Sequence, residues 1–280
     1  MVPRYPSELR DRYQEGRLIP FIGAGASMAV SWAQDGTDYR GVSWAELVDA
    51  AIDQLGFANP DLLRDRGTDL QILEYFKIVN EGQFADITNW MLSRMRPSND
   101  ALKASVLHTG LVALEKCRLF YTTNFDDFLE RSFDLAGRPH KRIAIEGHMG
   151  ATKEGEAEIV KFHGDLRNPD SMVLSESHYE NRLKLDTPMD YRLRADVLGR
   201  ALLFIGYSFR DWNVSYLFRL VNDQFEALPA SLGGRRAYIA VSDPSDFEER
   251  LFAARNIEVI PIGSAEPQAD IGELLADLRR

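Results

Sequence analysis

The stretch "PFIGAGASMAV", residues 20–30, decides the fold, because an apolar run ends there in glycines at positions 23 and 25. Glycines directly after a buried strand let the backbone turn tightly into a helix and approach a phosphate closely. Met28 stands where the usual dinucleotide fingerprint has a third glycine, and no Lys-Ser or Lys-Thr pair follows as in a P-loop. The stretch predicts a strand–turn–helix unit that suits a phosphate-bearing ligand. The alternative interpretation is a glycine turn that only connects the strand to the helix.

Seven short segments, this stretch included, show the clustering of β-branched and aromatic residues between polar or glycine breaks that indicates buried strands. They begin at Arg17, Cys117, Lys141, Glu158, Ala201, Arg235 and Ile257. Several are apolar almost throughout, which is typical of a parallel sheet covered by helices on both faces. We therefore expect an α/β fold with a Rossmann-like, doubly wound parallel sheet and right-handed crossovers.

Helical patterns lie between the strands. Ser43 and Glu46 form a capping-box signal ahead of a helix that Gly56 would end. Apolar residues recur at helical spacing from Asn99 and again from Asp211. Both patterns predict helices that cover the sheet.

The spacing of the strands is uneven. Roughly 90 residues separate the first strand from the second, far more than an ordinary connection needs. This segment, about 28–116, and a second one, about 167–200, are predicted to be helical insertions over the carboxyl edge of the sheet. Because no internal repeat or long linker interrupts the chain, residues 1–280 are expected to form a single domain with helical elaboration.

Bulk properties narrow the class of protein. The sequence has 280 residues, a formal net charge of −10 and one cysteine, Cys117. The acidic balance disfavours a broad grip on DNA or RNA, so no direct nucleic-acid binding is expected. One cysteine excludes an intramolecular disulfide and a zinc module built on several cysteines of the chain. The polar start and the lack of an apolar run of about 18–20 residues predict a cytoplasmic protein without a membrane span.

Polar side chains follow three more of the predicted strands where each strand ends. The motifs are "TTNFDD" (122–127), "KFHGD" (161–165) and "GYSFRD" (206–211). Because the carboxyl ends of parallel strands meet at one edge of an open α/β sheet, these residues should lie near the opening glycines. Capping of the next helices explains part of the pattern, for example at Thr123 or Asp211. Taken together, the strand ends predict a nucleotide cleft.

His163 stands out among the histidines by its position. A lone histidine is more often structural than catalytic, but His163 follows a strand at the same predicted edge as Asn124, which favours a catalytic role. If its pKa lies near the ordinary value of about 6.5, it can accept a proton from water or a ribose hydroxyl. The other histidines lack metal-ligand spacing, so no metal is expected.

In this order, "GAGAS", "TTNFD", "KFHGD" and "GYSFRD" resemble the motifs of the sirtuin-like family of NAD-consuming proteins. The segment "SMVLSESHYE" (171–180) resembles the bacterial defence-associated branch of that family. The resemblance implies a sirtuin-like fold with NAD as substrate, Asn124 beside the nicotinamide ribose and His163 as the catalytic base. The implied positions are Gly23, Ala24, Gly25 and Ser27 at the pyrophosphate, Asp126 in the pocket, and Gly206 with Ser208 towards the adenosine. Ala26, Thr123 and Asp211 of the same motifs complete the predicted cofactor-binding set, and Asp211 could bond a ribose hydroxyl.

Two departures from the family pattern distinguish this sequence from the deacetylase branch of the family. Sirtuin deacetylases carry a four-cysteine zinc module after the catalytic histidine, whereas residues 164–206 contain no cysteine. The acyl-lysine groove that this module helps to build is therefore not supported. The deacetylase loop after the glycine motif has two alignments here, residues 38–40 or residues 41–44, and the second is nearer to the defence proteins.

The sequence thus predicts an NAD+ hydrolase that releases nicotinamide and ADP-ribose. The resemblance implies an anti-phage effector that depletes NAD when triggered, as in abortive infection. Since a hydrolase that is always active would harm its host, we expect control by homo-oligomerisation or by a partner, such as a HerA-type hexameric translocase ATPase or a short Argonaute.

Three other functions are alternatives to hydrolysis. Two of them are compatible with the motifs: an NAD-dependent protein deacylase or ADP-ribosyltransferase, and a non-catalytic sensor of NAD or ADP-ribose. An ordinary dehydrogenase is disfavoured, because the third glycine is missing and no acidic residue ends a second strand at the usual spacing. The stretch "GRR" (234–236), with basic residues at 235 and 236, leaves the choice between NAD and NADP open.

Overall fold

Nine strands and thirteen α-helices lie in the part of the chain that the computed structural model describes, residues 4–184, 186–208, 237–263 and 265–280. The strands are β1 (Leu18–Ile22), β2 (Ser31–Gln34), β3 (Thr37–Arg40), β4 (Leu119–Thr122), β5 (His140–Ile143), β6 (Ala157–Lys161), β7 (Ala201–Ile205), β8 (Ala237–Ser242) and β9 (Ile257–Ile262). The helices are α1 (Ser7–Gln14), α2 (Ala24–Met28), α3 (Trp44–Leu55), α4 (Pro60–Arg66), α5 (Asp69–Val79), α6 (Ala85–Arg94), α7 (Asn99–Ala104), α8 (Val106–Val112), α9 (Phe128–Leu135), α10 (Glu176–Leu183), α11 (Pro188–Val197), α12 (Asp246–Ala253) and α13 (Pro267–Leu278).

Seven of the strands form one sheet in the order β5-β6-β4-β1-β7-β8-β9, and all neighbours run parallel. They are the seven strands that the sequence predicts. The chain moves from β1 to β4 on one side and later returns to β7 on the other side of β1. The strand order therefore reverses at β1, which is the point where open α/β sheets bind ligands.

Alternating side chains of each strand bury themselves against helices on the two faces of the sheet. In β1, Leu18 and Ile22 pack in a cluster with helices α1, α8, α9 and α13, while Ile19 and Phe21 pack on the opposite face with α11 and α12. All five β1 residues are buried, as the apolar run predicts. The α/β, doubly wound arrangement is thus confirmed.

The central strands end in a single row. Ile22 pairs with Thr122 on one side and with Ile205 on the other, and Thr122 pairs with Lys161. The residues that follow these four positions therefore leave the sheet side by side. This register brings the three polar motifs and the opening glycines to the same edge.

The turns after β1 and β7 touch through their main chains. The N–H groups of Gly23 and Gly25 donate to the oxygens of Ile205 and Gly206, both at 2.9 Å. A Cβ on Gly25 would lie 2.8 Å from Gly206 Cα, and one on Gly206, whose φ is +81°, would lie 2.7 Å from Ala26 N. Glycine is required here because the two backbones leave no room for a side chain.

The long segment between β1 and β4 is mostly helical and has a hydrophobic core of its own. Helices α3, α5 and α6 pack there with residues of the loop after β6, among them Leu166 and Leu174. The predicted capping box of α3 is present: Ser43 Oγ accepts from Glu46 N, and Glu46 Oε2 accepts from Ser43 N. Gly56 ends this helix in the left-handed conformation.

Two features of this segment differ from the sequence predictions. The antiparallel hairpin of β2 and β3 was not predicted, although its turn, Asp35-Gly36 with both φ values positive, is a typical hairpin signal. The helix predicted from Asn99 is divided into α7 and α8 at Ser105. The Ser105 side chain accepts from His108 N, so it begins a new helix instead of continuing the first.

Some predictions fall beyond what the structure covers. The helix predicted from Asp211, the site residue Asp211 itself and the stretch 234–236 lie outside the described residues. Within the described ranges, no helix is long and apolar enough to cross a bilayer.

We expect the Gly206→Ala substitution to lower the free energy of unfolding by more than about 2 kcal/mol, because it adds a backbone clash to the cost of a positive φ. Gly137→Ala is the matched control: its φ is +65°, but a Cβ there meets nothing within 4 Å. That variant should lose only about 1 kcal/mol. Urea unfolding measures both, and equal losses would contradict the close approach of the two turns.

Candidate active site

A cavity of about 960 Å³ lies over the carboxyl edge of the sheet. Its volume is at the upper end of the range of about 300–1,000 Å³ that is usual for small-molecule sites. Nine of the site residues predicted from the sequence line this cavity: Ala24, Gly25, Ser27, Thr123, Asn124, Asp126, His163, Gly206 and Ser208. Gly23 and the fully buried Ala26 do not line the cavity and instead pack at the turn behind it.

The opening glycines have a structural role at this edge. Since Gly23 N donates to the end of β7, Gly25 N to Gly206 of the turn after it, and Ala26 N to Gly23 O at 3.0 Å, these three donors are already used. A phosphate at this turn would have to be bound by other donors, such as the N–H of Ala24 at the start of α2.

The side-chain amide of Asn124 has one orientation that its neighbours allow. Its Nδ2 donates to the main-chain oxygen of Gly23 and to Ser27 Oγ, both at 2.9 Å. The Ser27 hydroxyl donates to Asp126 Oδ2 at 2.5 Å, so its oxygen is free to accept. Because a carbonyl oxygen only accepts, the flipped amide would place oxygen against oxygen. Asn124 Oδ1 is left as a buried acceptor without a hydrogen-bond partner among the described residues.

Asp126 links this network to the next helix. Its Oδ1 accepts from Phe128 N at 3.0 Å, which satisfies a free N–H at the start of α9. Thr123 is predicted from the sequence as a cap of that helix, but α9 begins only at Phe128. Thr123 instead lies 3.0 Å from the hydroxyl of Tyr207, which donates to Ile22 O at 3.1 Å.

His163 follows β6 and is almost completely buried. Its ring stacks on Phe162, with centroids 5.7 Å apart, and meets Tyr179 edge to face at 5.6 Å. Its Nε2 is buried and, like Asn124 Oδ1, has no hydrogen-bond partner within the described ranges. Both open atoms belong to side chains that line the cavity.

The condition of an ordinary pKa for His163 is not met in the structure. Burial lowers the pKa well below its usual 6.5, because the charged ring would lose its hydration, and the nearby Arg182 guanidinium lowers it further. The imidazole is therefore neutral at neutral pH. A neutral ring can take up a proton at Nε2 when its own hydrogen sits on Nδ1.

The loop after His163 is held by Asp165 of the same motif. Asp165 Oδ1 accepts from Arg167 N and Asn168 N, and its Oδ2 accepts from Arg142 at 2.6 Å. Val173 N donates to the main-chain oxygen of His163 at 3.0 Å. These bonds fix the backbone that carries His163.

The apolar wall of the cavity was missed by sequence reasoning. Val42 and Trp44 contribute to it, whereas residues 38–40 lie on β3 and are not among the lining residues, so the second of the two loop alignments is the one that reaches the cavity. The other wall residues include Leu47, Met91, Met95, Phe125 and Tyr179, and Gln268 and Ile271 close the opposite end. Helical periodicity marks such residues as core, which gives no sign of which ones face a ligand.

The family described as "SIR2-like domain" matches residues 118–260. A protein named NAD(+) hydrolase ThsA from Acinetobacter baumannii (strain 532279) is 27% identical over 228 residues, which cover 81% of this chain and 42% of that protein. A second one, from Bacillus cereus (strain MSX-D12), is 26% identical, with 81% of this chain and 44% of that protein covered. A third, from Enterococcus faecium, is 28% identical over 214 residues, with 75% of this chain and 40% of that protein covered.

This chain thus spans about two fifths of the length of the curated relatives it matches. A solved structure described as "Structural Basis for the Mechanism and Regulation of Sir2 Enzymes" aligns over 98% of this chain and 99% of its own. The identity is 13% and the TM-score 0.44, too low to add to the topology described above.

Acid is expected to weaken the fold through buried histidines. Burial lowers the pKa of His108 to about 4, although the Asp126 carboxylate partly opposes this. The unfolded chain then takes up protons first as the pH falls below about 6.5, so stability that is present above this pH is lost between about 6.5 and 4. For His108 alone the loss should approach about 3 kcal/mol.

His108→Asn separates this effect from other titrations, because an amide oxygen can replace Nδ1 beside Ser105 Oγ, 2.8 Å away, and does not titrate. Urea unfolding at pH 7.0 and pH 4.5 measures both proteins. The decline on acidification should be clearly smaller in the variant, and an equal decline would contradict the role of His108.

Proposed function

The chain belongs to the SIR2-like family, and we propose that it is an NAD+ hydrolase that releases nicotinamide and ADP-ribose. One observation carries the proposal: Asn124 Oδ1 and His163 Nε2 are both buried, both belong to lining residues of one cavity, and neither has a hydrogen-bond partner in the described part of the chain. A buried polar atom without a partner costs about 1–3 kcal/mol. A bound substrate with hydroxyl groups would remove this cost.

Dinucleotide binding is supported by the shape and chemistry of the cavity. It extends from the polar strand ends near Asn124 to the ends of β8 and β9. An elongated cavity of this kind suits a ligand made of two nucleotides. The apolar wall at Trp44 and Met91 suits the flat nicotinamide ring. Asn124 Oδ1, an acceptor, suits a ribose hydroxyl or the attacking water.

The reaction balances with water as the second substrate. The bond between C1 of the ribose and the ring nitrogen breaks, its electron pair stays with the leaving nicotinamide, and an oxocarbenium-like state forms on the ribose. Water oxygen then bonds to C1, and its proton passes to a base before it reaches solvent. Asn124 orients the ribose or the water, and neutral His163 accepts the proton, directly or through a ribose hydroxyl.

We further propose that the protein acts in anti-phage defence by depleting NAD when triggered. The curated relatives support the NAD+ hydrolase part of this proposal through their names. Control by self-assembly or by a partner, such as a HerA-type translocase ATPase or a short Argonaute, follows from the harm that constant NAD loss would cause. The proposed site of action is the cytoplasm, where NAD is available.

Nicotinamide release from NAD by the purified protein, across a range of protein concentrations, tests the function. We expect Asn124→Ala and His163→Ala to lower the rate at least about 10²-fold while the variants stay folded, since each removes a group that acts on the reacting atoms. Release that rises steeply with protein concentration would support control by self-assembly.

His140→Ala is the control, because His140 does not line the cavity. Full activity in both site variants would overturn the assignment. NAD loss that requires an added acylated peptide would indicate a deacylase, and tight NAD binding without release would favour a sensor. Because the pKa of His163 is lowered, the activity of the wild-type protein should show no acid limb near pH 6.5.

A further inference from the structure

A buried ion pair joins β6, which precedes His163, to α9, which follows the turn that carries Asn124. Lys161 is the last residue of β6, two positions before His163, and its side chain is only 1% exposed. Its Nζ lies 3.4 Å from Oε1 of Glu130, which is also buried and belongs to the first turn of α9. Neither residue lines the cavity.

The same ammonium group reaches the turn that carries Asn124. Lys161 Nζ donates a hydrogen bond to the main-chain oxygen of Asp126. Asp126 in turn accepts from Ser27, which accepts from Asn124. One side chain on β6 therefore contacts both the turn after β4 and the helix that follows this turn.

Stability does not explain why charges are placed here. Burial raises the pKa of Glu130, and Lys161 only partly offsets this. Among the described residues, neither oxygen of Glu130 has a hydrogen-bond partner. Because an apolar pair of similar volume is often as stable as a buried ion pair or more so, the value of the charges lies in the geometry that they fix.

We propose that Lys161, with Glu130 as its counter-ion, is a positioning residue that holds the turn 123–127 against β6 and so fixes Asn124 Oδ1 relative to His163 Nε2. The kinetic consequence of this proposal rests on the proposed NAD+ hydrolase function. Its structural consequence, the immobility of the turn, does not. The two consequences can therefore fail separately.

The double variant Lys161→Met/Glu130→Leu removes both charges at nearly constant volume. Its unfolding midpoint should stay within about 5 °C of the wild-type value, whereas Lys161→Met alone, which leaves Glu130 buried without its cation, should lose about 10 °C.

In the double variant we expect amide hydrogen exchange of residues 123–128 to accelerate about tenfold or more as the turn loosens. The kcat of nicotinamide release should fall about 10–100-fold with KM little changed, because orientation is lost and not binding.

Glu158→Gln is the matched control. Glu158 lies on the same strand and accepts from Arg192, but it does not line the cavity. This variant should leave both the exchange of residues 123–128 and the kcat at wild-type values. A loss of kcat here equal to that of the double variant would show that any disturbance of β6 suffices, and would overturn the specific role of Lys161.

Unchanged exchange of residues 123–128 in the folded double variant would overturn the positioning role, whatever the activity. Faster exchange in a double variant whose kcat equals that of the wild type would support the positioning of the turn and overturn its link to catalysis instead. If the double variant does not fold, Lys161→Met alone, measured well below its unfolding midpoint, gives the same decision. Faster exchange in that variant supports the proposal, and unchanged exchange overturns it.

Discussion

The main-chain contact between the turns after β1 and β7 is the constraint on which the rest of the site depends. Gly25 and Gly206 lie too close for either to carry a Cβ, and Gly23 and Gly25 donate to the end of β7 and to the turn after it. This contact sets where α2 begins and therefore where Ser27 lies. Ser27 Oγ then accepts from the Asn124 amide and so orients it, while the Ser27 hydroxyl donates to Asp126. A constraint on three glycines is thus transmitted to the orientation of one acceptor atom.

The site combines tightly satisfied polar groups with two that are left open. The side chains of Asn124 and Asp126 are held by hydrogen bonds to Gly23, Ser27 and Phe128, and the loop after His163 is fixed by Asp165. Polar groups that are satisfied in this way are rigid, because each alternative geometry loses a hydrogen bond in a low-dielectric surrounding. Against this background, Asn124 Oδ1 and His163 Nε2 are the acceptors that a ligand would meet.

Much of this arrangement could be predicted from the sequence, because strand burial and helix capping depend on local residue patterns. The seven strands of the sheet, the α3 capping box at Ser43 and the meeting of the motifs at one edge were all predicted. The lowered pKa of His163 was not, because it depends on burial to which the distant Tyr179 contributes, and no local pattern indicates that Tyr179 meets His163. Nor does a glycine motif reveal that its N–H groups are taken by another strand and the turn after it.

The two walls of the cavity belong to different structural units. The polar wall is formed by strand ends whose register fixes them to one another, while Trp44, Met91 and Met95 of the apolar wall come from the long segment between β1 and β4. Methionine side chains are flexible and adapt to different shapes. Related proteins can therefore alter the apolar wall by substitution without disturbing the strand ends. An inhibitor that draws its affinity from the apolar wall would discriminate between such relatives, whereas one that binds only the strand ends would not.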